Sequence, residues 1–113
     1  MELVLSTLEK CGIQTIEDGY VTLPQEHCFS SWRRTRKKAE GSDGYALYWR
    51  VTYELRVCFR DGKTNRDKLT EEFLENEFRE LDDLECTYGY NSDDKLDITI
   101  YTFTEIENFK EEF

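Results

Sequence analysis

Acid-base and nucleophilic chemistry in this sequence would have to run through His27, its only histidine, and four cysteines, Cys11, Cys28, Cys58 and Cys86. The cysteines lie 17, 30 and 28 residues apart, with none of the close-spaced pairs that zinc sites use, so no metal and no cofactor is expected. Cys28 adjoins His27, but neighbours in a strand point to opposite faces and cannot work as nucleophile and base without distortion. An edge histidine beside a core cysteine is the reading adopted. Ser30 and Ser31 stand in no nucleophile-elbow motif, and residues 41–44, Gly-Ser-Asp-Gly, lack the Lys-Ser/Thr and helix context of a phosphate loop. Paired carboxylates recur at Glu71-Glu72, Asp82-Asp83, Asp93-Asp94 and Glu111-Glu112. Each falls where a solvated helix face, turn or terminus would put it, not in a dry pocket that would separate their pKa values. Asp93-Asp94 also lacks the spaced oxygens and distal glutamate of a calcium loop. No catalytic residue is predicted, and the chain is not expected to be an enzyme.

One constellation does invite a function. Arg33, Arg34, Arg36, Lys37 and Lys38 make residues 28–38 a stretch of five bases and no acid, inside a chain of net charge −10. The flanking segments are acidic, with eight acids against three bases in 64–84 and eight against two in 85–113. That balance excludes a protein that coats nucleic acid, which needs a dominant basic surface. The basic run could be a solvated hairpin flank that discourages edge pairing. It could instead be a contact surface for an acidic partner or for DNA phosphates, or for a second copy, whose acidic region offers the complement. A head-to-tail contact of that kind closes into a ring if its rotation permits.

The elements must position that run. At 113 residues the chain fits a single domain, and seven Phe, seven Tyr and two Trp supply apolar surface that disordered chains lack. Leu3, Val4, Leu5 and Leu8 fit one helix face over residues 1–11, stopped by Gly12. Residues 13–23 suit a short strand or small hairpin with an Asp18-Gly19 turn. Residues 27–38 read as a strand, and residues 45–59 alternate apolar and polar side chains without a break. Fifteen residues at roughly 3.3 Å each approach about 50 Å, so part of this hairpin must project past a domain so small. Its projecting end is predicted at 41–44, between the basic run and Tyr45, Tyr48 and Trp49. A helix is predicted over 64–84, with Leu69, Phe73, Leu74, Phe78 and Leu81 as its apolar stripe. A second hairpin follows over 86–90 and 96–103. The fold class is α+β: a mostly antiparallel sheet with a long β-hairpin, flanked by an N-terminal helix and a central acidic helix. Residues 1–104 form the domain and 105–113 a C-terminal arm carrying Ile106, Phe109 and Phe113.

The cysteines are read as reduced, buried thiols of a protein made in the cytoplasm, because residues 1–12 show no apolar signal region and no stretch reaches the roughly 20 apolar residues of a membrane span. The interface candidates are Arg33, Arg34, Arg36, Lys37, Lys38, Tyr45, Tyr48, Ile106, Phe109 and Phe113.

The N-terminal helix with Leu5, Leu8 and Gly12-Ile13, the basic strand with its small polar tip, the strand Tyr48–Tyr53 (YWRVTY), the acidic LTEEFLENEF helix and the closing KLDITIYTFTE strand together resemble the tail-completion, or tail-terminator, proteins of long-tailed phages. The likeness covers most of the chain and lies in element order and residue character; no invariant motif carries it. It implies a compact sheet with flanking helices, assembled as a hexameric ring in the virion that caps the tail tube and joins it to the head connector. DNA would be passing cargo only. Implied partners are further copies of the chain, the tail tube protein and the head connector protein, with no membrane and no catalytic residue. The cysteines and the strongly basic hairpin flank are not features of that resemblance. The competing class is a small acidic inhibitor or DNA mimic that binds a nucleic-acid enzyme. Net charge favours it; the basic strip does not.

Overall fold

The computed structural model describes residues 1–17, 24–42 and 44–108. Helix α1, Glu2–Lys10, buries Val4, Thr7 and Leu8, the i, i+3, i+4 set of a single face. Leu3 and Leu5, predicted to share that face, are exposed. Gly12 takes φ +71°, the left-handed conformation that lets the chain leave the helix. Strand β1, Gln14–Glu17, follows directly. Strands β2, Cys28–Ser42, and β3, Tyr45–Arg60, form the long hairpin. Helix α2, Asn65–Phe78, starts at a capping box in which Thr64 accepts from the Asp67 backbone while the Asp67 carboxylate accepts from Thr64 N–H. Strands β4, Asp82–Asn91, and β5, Leu96–Asn108, close the chain.

The five strands form one sheet in the order β1-β2-β3-β5-β4. β1 runs parallel to β2 and every other pair is antiparallel, so the sheet is mixed. The α+β class holds. The helices do not flank the sheet on two sides: Val4 and Leu8 of α1 and Leu74 and Phe78 of α2 share one core cluster with Val51, Tyr53, Leu55, Val57 and Phe59 of β3. These β3 residues are the odd positions of its alternation, so both helices lie on a single face. Tyr101 and Phe103 of β5 complete the core, with Phe78 and Tyr101 edge to face at 5.4 Å. Burying each such side chain contributes about 1.5–3 kcal/mol. The opposite face holds a smaller cluster of Phe29, Cys58, Leu96 and Ile98. Arg60 closes it, its guanidinium 5.4 Å from the Phe29 ring centre and its N–H groups donating to the carbonyls of Glu26 and Pro24.

Two expected boundaries are corrected. The central helix stops at Phe78, not at Leu84, and residues 82–84 already belong to β4. Leu81 and Leu84 still pack against the core, so the apolar spacing continues across a change of backbone and could not reveal it. The start of the predicted C-terminal arm lies in the sheet: β5 continues to Asn108, Ile106 sits opposite Arg50, and Glu105 pairs with the ammonium of Met1. Phe109 and Phe113 lie outside the described residues, as does the Asp18-Gly19 turn. Among the described residues no helix is long and apolar enough to cross a membrane.

The molecule measures 51 × 31 × 24 Å with a radius of gyration of 16.1 Å, where a compact globule of this length would have about 13 Å. The excess comes from the hairpin, whose sixteen-residue β3 spans the long axis.

Candidate functional site

The histidine, cysteine and carboxylate chemistry gathers at the base of the sheet. His27, just before β2, and Asp67, in the first turn of α2, line a cleft of about 330 Å³ with Cys11, Cys28 and Thr64. The imidazole Nε2 lies 2.6 Å from Asp67 Oδ2, and the same carboxylate oxygen accepts from Thr64 N–H at 2.8 Å. Burial opposes ionisation of Asp67, but the hydrogen bonds from His27 and Thr64 outweigh it and hold the carboxyl below its ordinary value. The Cys28 thiol is pushed up to about 12, first by burial and then by the Asp67 charge. Burial likewise lifts Cys58 to about 11. Thiols so shifted stay protonated at neutral pH and are neither nucleophiles nor ready metal ligands. Among the described residues no three or more His, Cys, Asp or Glu side chains come together to hold a metal. The His27–Asp67 pair ties the start of β2 to the start of α2 across 40 residues of sequence, a contact that no local pattern announces.

A second polar cluster lies under α2. Lys63 Nζ is 2.9 Å from Glu71 Oε2 and donates to Thr99 Oγ1 at 3.1 Å, and Thr99 donates on to Glu71 Oε1 at 3.2 Å. Glu71 and Thr99 are buried. Glu71, expected on a solvated face, is corrected: it lies inside, and its charge is tolerated because a lysine and a hydroxyl satisfy it. The thiols divide differently from expectation too. All four are free, but Cys86 is exposed and only Cys58 is fully buried.

The interface candidates sort along the hairpin. β1 accompanies β2 only over 29–32, so among the described residues the outer edge of β2 is unaccompanied from Arg33 onward. A bulge at Thr35 resets the alternation and divides the basic run between the two faces of the sheet. On the helix side, the Arg34 guanidinium lies 5.9 Å from the Tyr53 ring centre and Lys37 Nζ 4.7 Å from that of Trp49, cation–π contacts that bury the aliphatic stems along the rings. On the open side, Arg33 and Arg56 share the Glu54 carboxylate at 2.8 and 3.0 Å. Burial would raise the pKa of Glu54, but the two guanidiniums bring it below its ordinary value. Arg36 and Lys38 are exposed on that same side, as is Ile106. Tyr48 is half-buried, its hydroxyl 3.5 Å from Glu40, which also binds Arg50 Nε at 2.9 Å.

Beyond Tyr48 the hairpin is uncovered among the described residues. Tyr45 is 74% and Leu47 56% exposed. A second bulge opposite Glu40 and Gly41 bends this end, where a Cβ at Gly41 would collide with the Tyr45 carbonyl. The structure thus brings the basic run and Tyr45 together on one projecting arm. Ile106 lies lower, opposite Arg50. Sequence reasoning did not single out Leu47: the alternation gave its face, and among the described residues no helix lies above it. The chain matches no protein-family model and no curated protein.

Proposed function

We propose that this protein is a non-catalytic assembly part of a long-tailed phage virion, one that forms a homo-oligomeric ring, caps the tail tube and joins it to the head connector. The observation that carries the reading is the β2–β3 arm, which reaches past the helical layer with Arg36, Lys37 and Lys38 along it and Tyr45 and Leu47 at its end. The sequence around α2 carries eight acids against three bases in 64–84. One molecule thus offers two unlike surfaces, the requirement for head-to-tail closure. The order of helices and strands is in keeping with the sheet and helices implied by the resemblance. A DNA mimic gains nothing from a cationic arm.

Sedimentation velocity of the purified chain, paired with negative-stain imaging of the chain mixed with phage tails, tests the proposal. A ring-sized species that decorates one end of the tail tube is the expected result. A monomer that leaves tails undecorated overturns it, and a monomer that instead inhibits a nucleic-acid enzyme returns the chain to the acidic-inhibitor class.

A further inference from the structure

Helix α2 turns an unexpected side inward. Its buried residues are Asp67, Glu71, Leu74 and Phe78, leaving Leu69 67% and Phe73 44% exposed. These two lie four residues apart, one above the other on the outer face. Helical spacing places Glu72 and Glu77 on either side of them, with Arg66 at the N-terminal end. Two large apolar side chains in an acidic frame match the arm, where Tyr45 and Leu47 follow a cationic stretch.

The arm cannot reach its own α2. The helical layer ends level with Val51, where Glu105, the β5 partner of Val51, holds the ammonium of Met1 at the start of α1. Tyr45 lies six residues further along a strand, roughly 20 Å at about 3.3 Å per residue. A contact between the arm and this face of α2 therefore joins two molecules.

We propose that the end of the β2–β3 arm docks on the Leu69–Phe73 face of α2 in a second copy of this chain. Apolar side chains meet at the centre, and Lys37, on the same face of the arm as Tyr45 and Leu47, approaches the Glu72 and Glu77 flank of the next copy. The contact joins unlike surfaces, so each copy keeps one free arm and one free helix face until a ring closes. The inference rests on the assembly reading above and names the surfaces that reading uses.

Two variants test it, Tyr45→Ser with Leu47→Ser on the arm, and Leu69→Ser with Phe73→Ser on the helix. All four positions are exposed, so both proteins should keep the wild-type circular dichroism spectrum and melt within a few degrees of it. Sedimentation velocity should find each variant alone monomeric. Their equimolar mixture should form a dimer and nothing larger, because the intact arm of one variant meets the intact helix face of the other. Charge reversal refines the register: Lys37→Glu or Glu72→Lys alone should weaken association by up to about fivefold, with partial recovery when the two are mixed. If wild-type protein assembles and caps tails while either serine variant still assembles, or while their mixture stays monomeric, the proposed contact is wrong and the assembly function stands. A wild-type protein that is monomeric at every concentration and leaves tails undecorated overturns both.

Discussion

Along β3, the stretch from Val51 to Phe59 lies beneath two helices, while the stretch from Trp49 back to Tyr45 leaves their cover, although both carry a large apolar residue at every second position. In the lower stretch those residues are buried and meet Leu74, Phe78, Val4 and Leu8. In the upper one, Tyr45 and Leu47 meet solvent, and only Trp49, at its lower end, is half-buried, packed against the edge of the core with Lys37 over its ring. A strand's alternation therefore specifies which residues share a face, but not whether anything covers that face. The same contrast runs through α2, where a charged pair of positions, Asp67 and Glu71, is inside and an apolar pair, Leu69 and Phe73, is outside.

The largest expected difference between the two ends of β3 is in stability. Phe59→Ala should lower the free energy of unfolding by about 3–5 kcal/mol, the usual effect of emptying a packed aromatic site, whereas Leu47→Ala should change it by less than about 0.5 kcal/mol. Urea denaturation of both variants checks this, and similar losses at the two positions would mean that the arm is packed after all.

The α2 contrast comes next. Glu71→Ala leaves Lys63 and Thr99 without their acceptor and should cost about 1.5–3 kcal/mol, while Phe73→Ser, at a far more exposed site, should cost well under 1 kcal/mol. Combining Lys63→Met with Glu71→Leu should recover much of the loss, since replacing a buried ion pair by apolar groups of similar size is often near neutral.

A smaller effect separates the base of the sheet from the arm by pH. The carboxyl of Asp67 sits below its ordinary value of 3.8 when folded, so its contribution to stability is fully present above that value and disappears as pH falls through the folded pKa. Asp67→Asn should therefore lower the urea midpoint at neutral pH, and the gap from wild type should close below about pH 3.8. A gap that stays constant down to pH 2 would show that the carboxylate charge is not what the His27 and Thr64 contacts recognise.

The smallest stability effect is expected on the arm's cations. Arg36→Ser, Lys37→Ser and Lys38→Ser together should leave the thermal midpoint within a few degrees of wild type, because exposed charges contribute little to folding. Their loss should instead weaken association at low salt and matter less as salt rises. Unchanged assembly at low salt would return the run to a solvated flank.

The sequence by itself determined the elements whose signals are local. The alternation of 45–59 and the small residues of 41–44 were enough for a long hairpin, and Gly12 and the apolar spacing were enough for the end of α1 and the starts of α2 and β5, but not for the ends of α2, β2 and β5. The clustered bases could be placed on the arm because charge and sequence position travel together along a strand. What only the tertiary structure decided depends on pairs far apart in the chain. The parallel docking of β1 on β2, the stacking of both helices on one face, the His27–Asp67 contact and the burial of Glu71 against Lys63 and Thr99 each join residues from separate elements. The end of α2 at Phe78 was equally invisible, since Leu81 and Leu84 pack on the core whichever backbone carries them. Hydrophobic periodicity records that a side chain has an apolar face to join; which face is covered is settled only when the layers pack, and there Lys63 and Thr99 satisfy a buried Glu71 while Phe73, on the outer side of the helix, stays exposed.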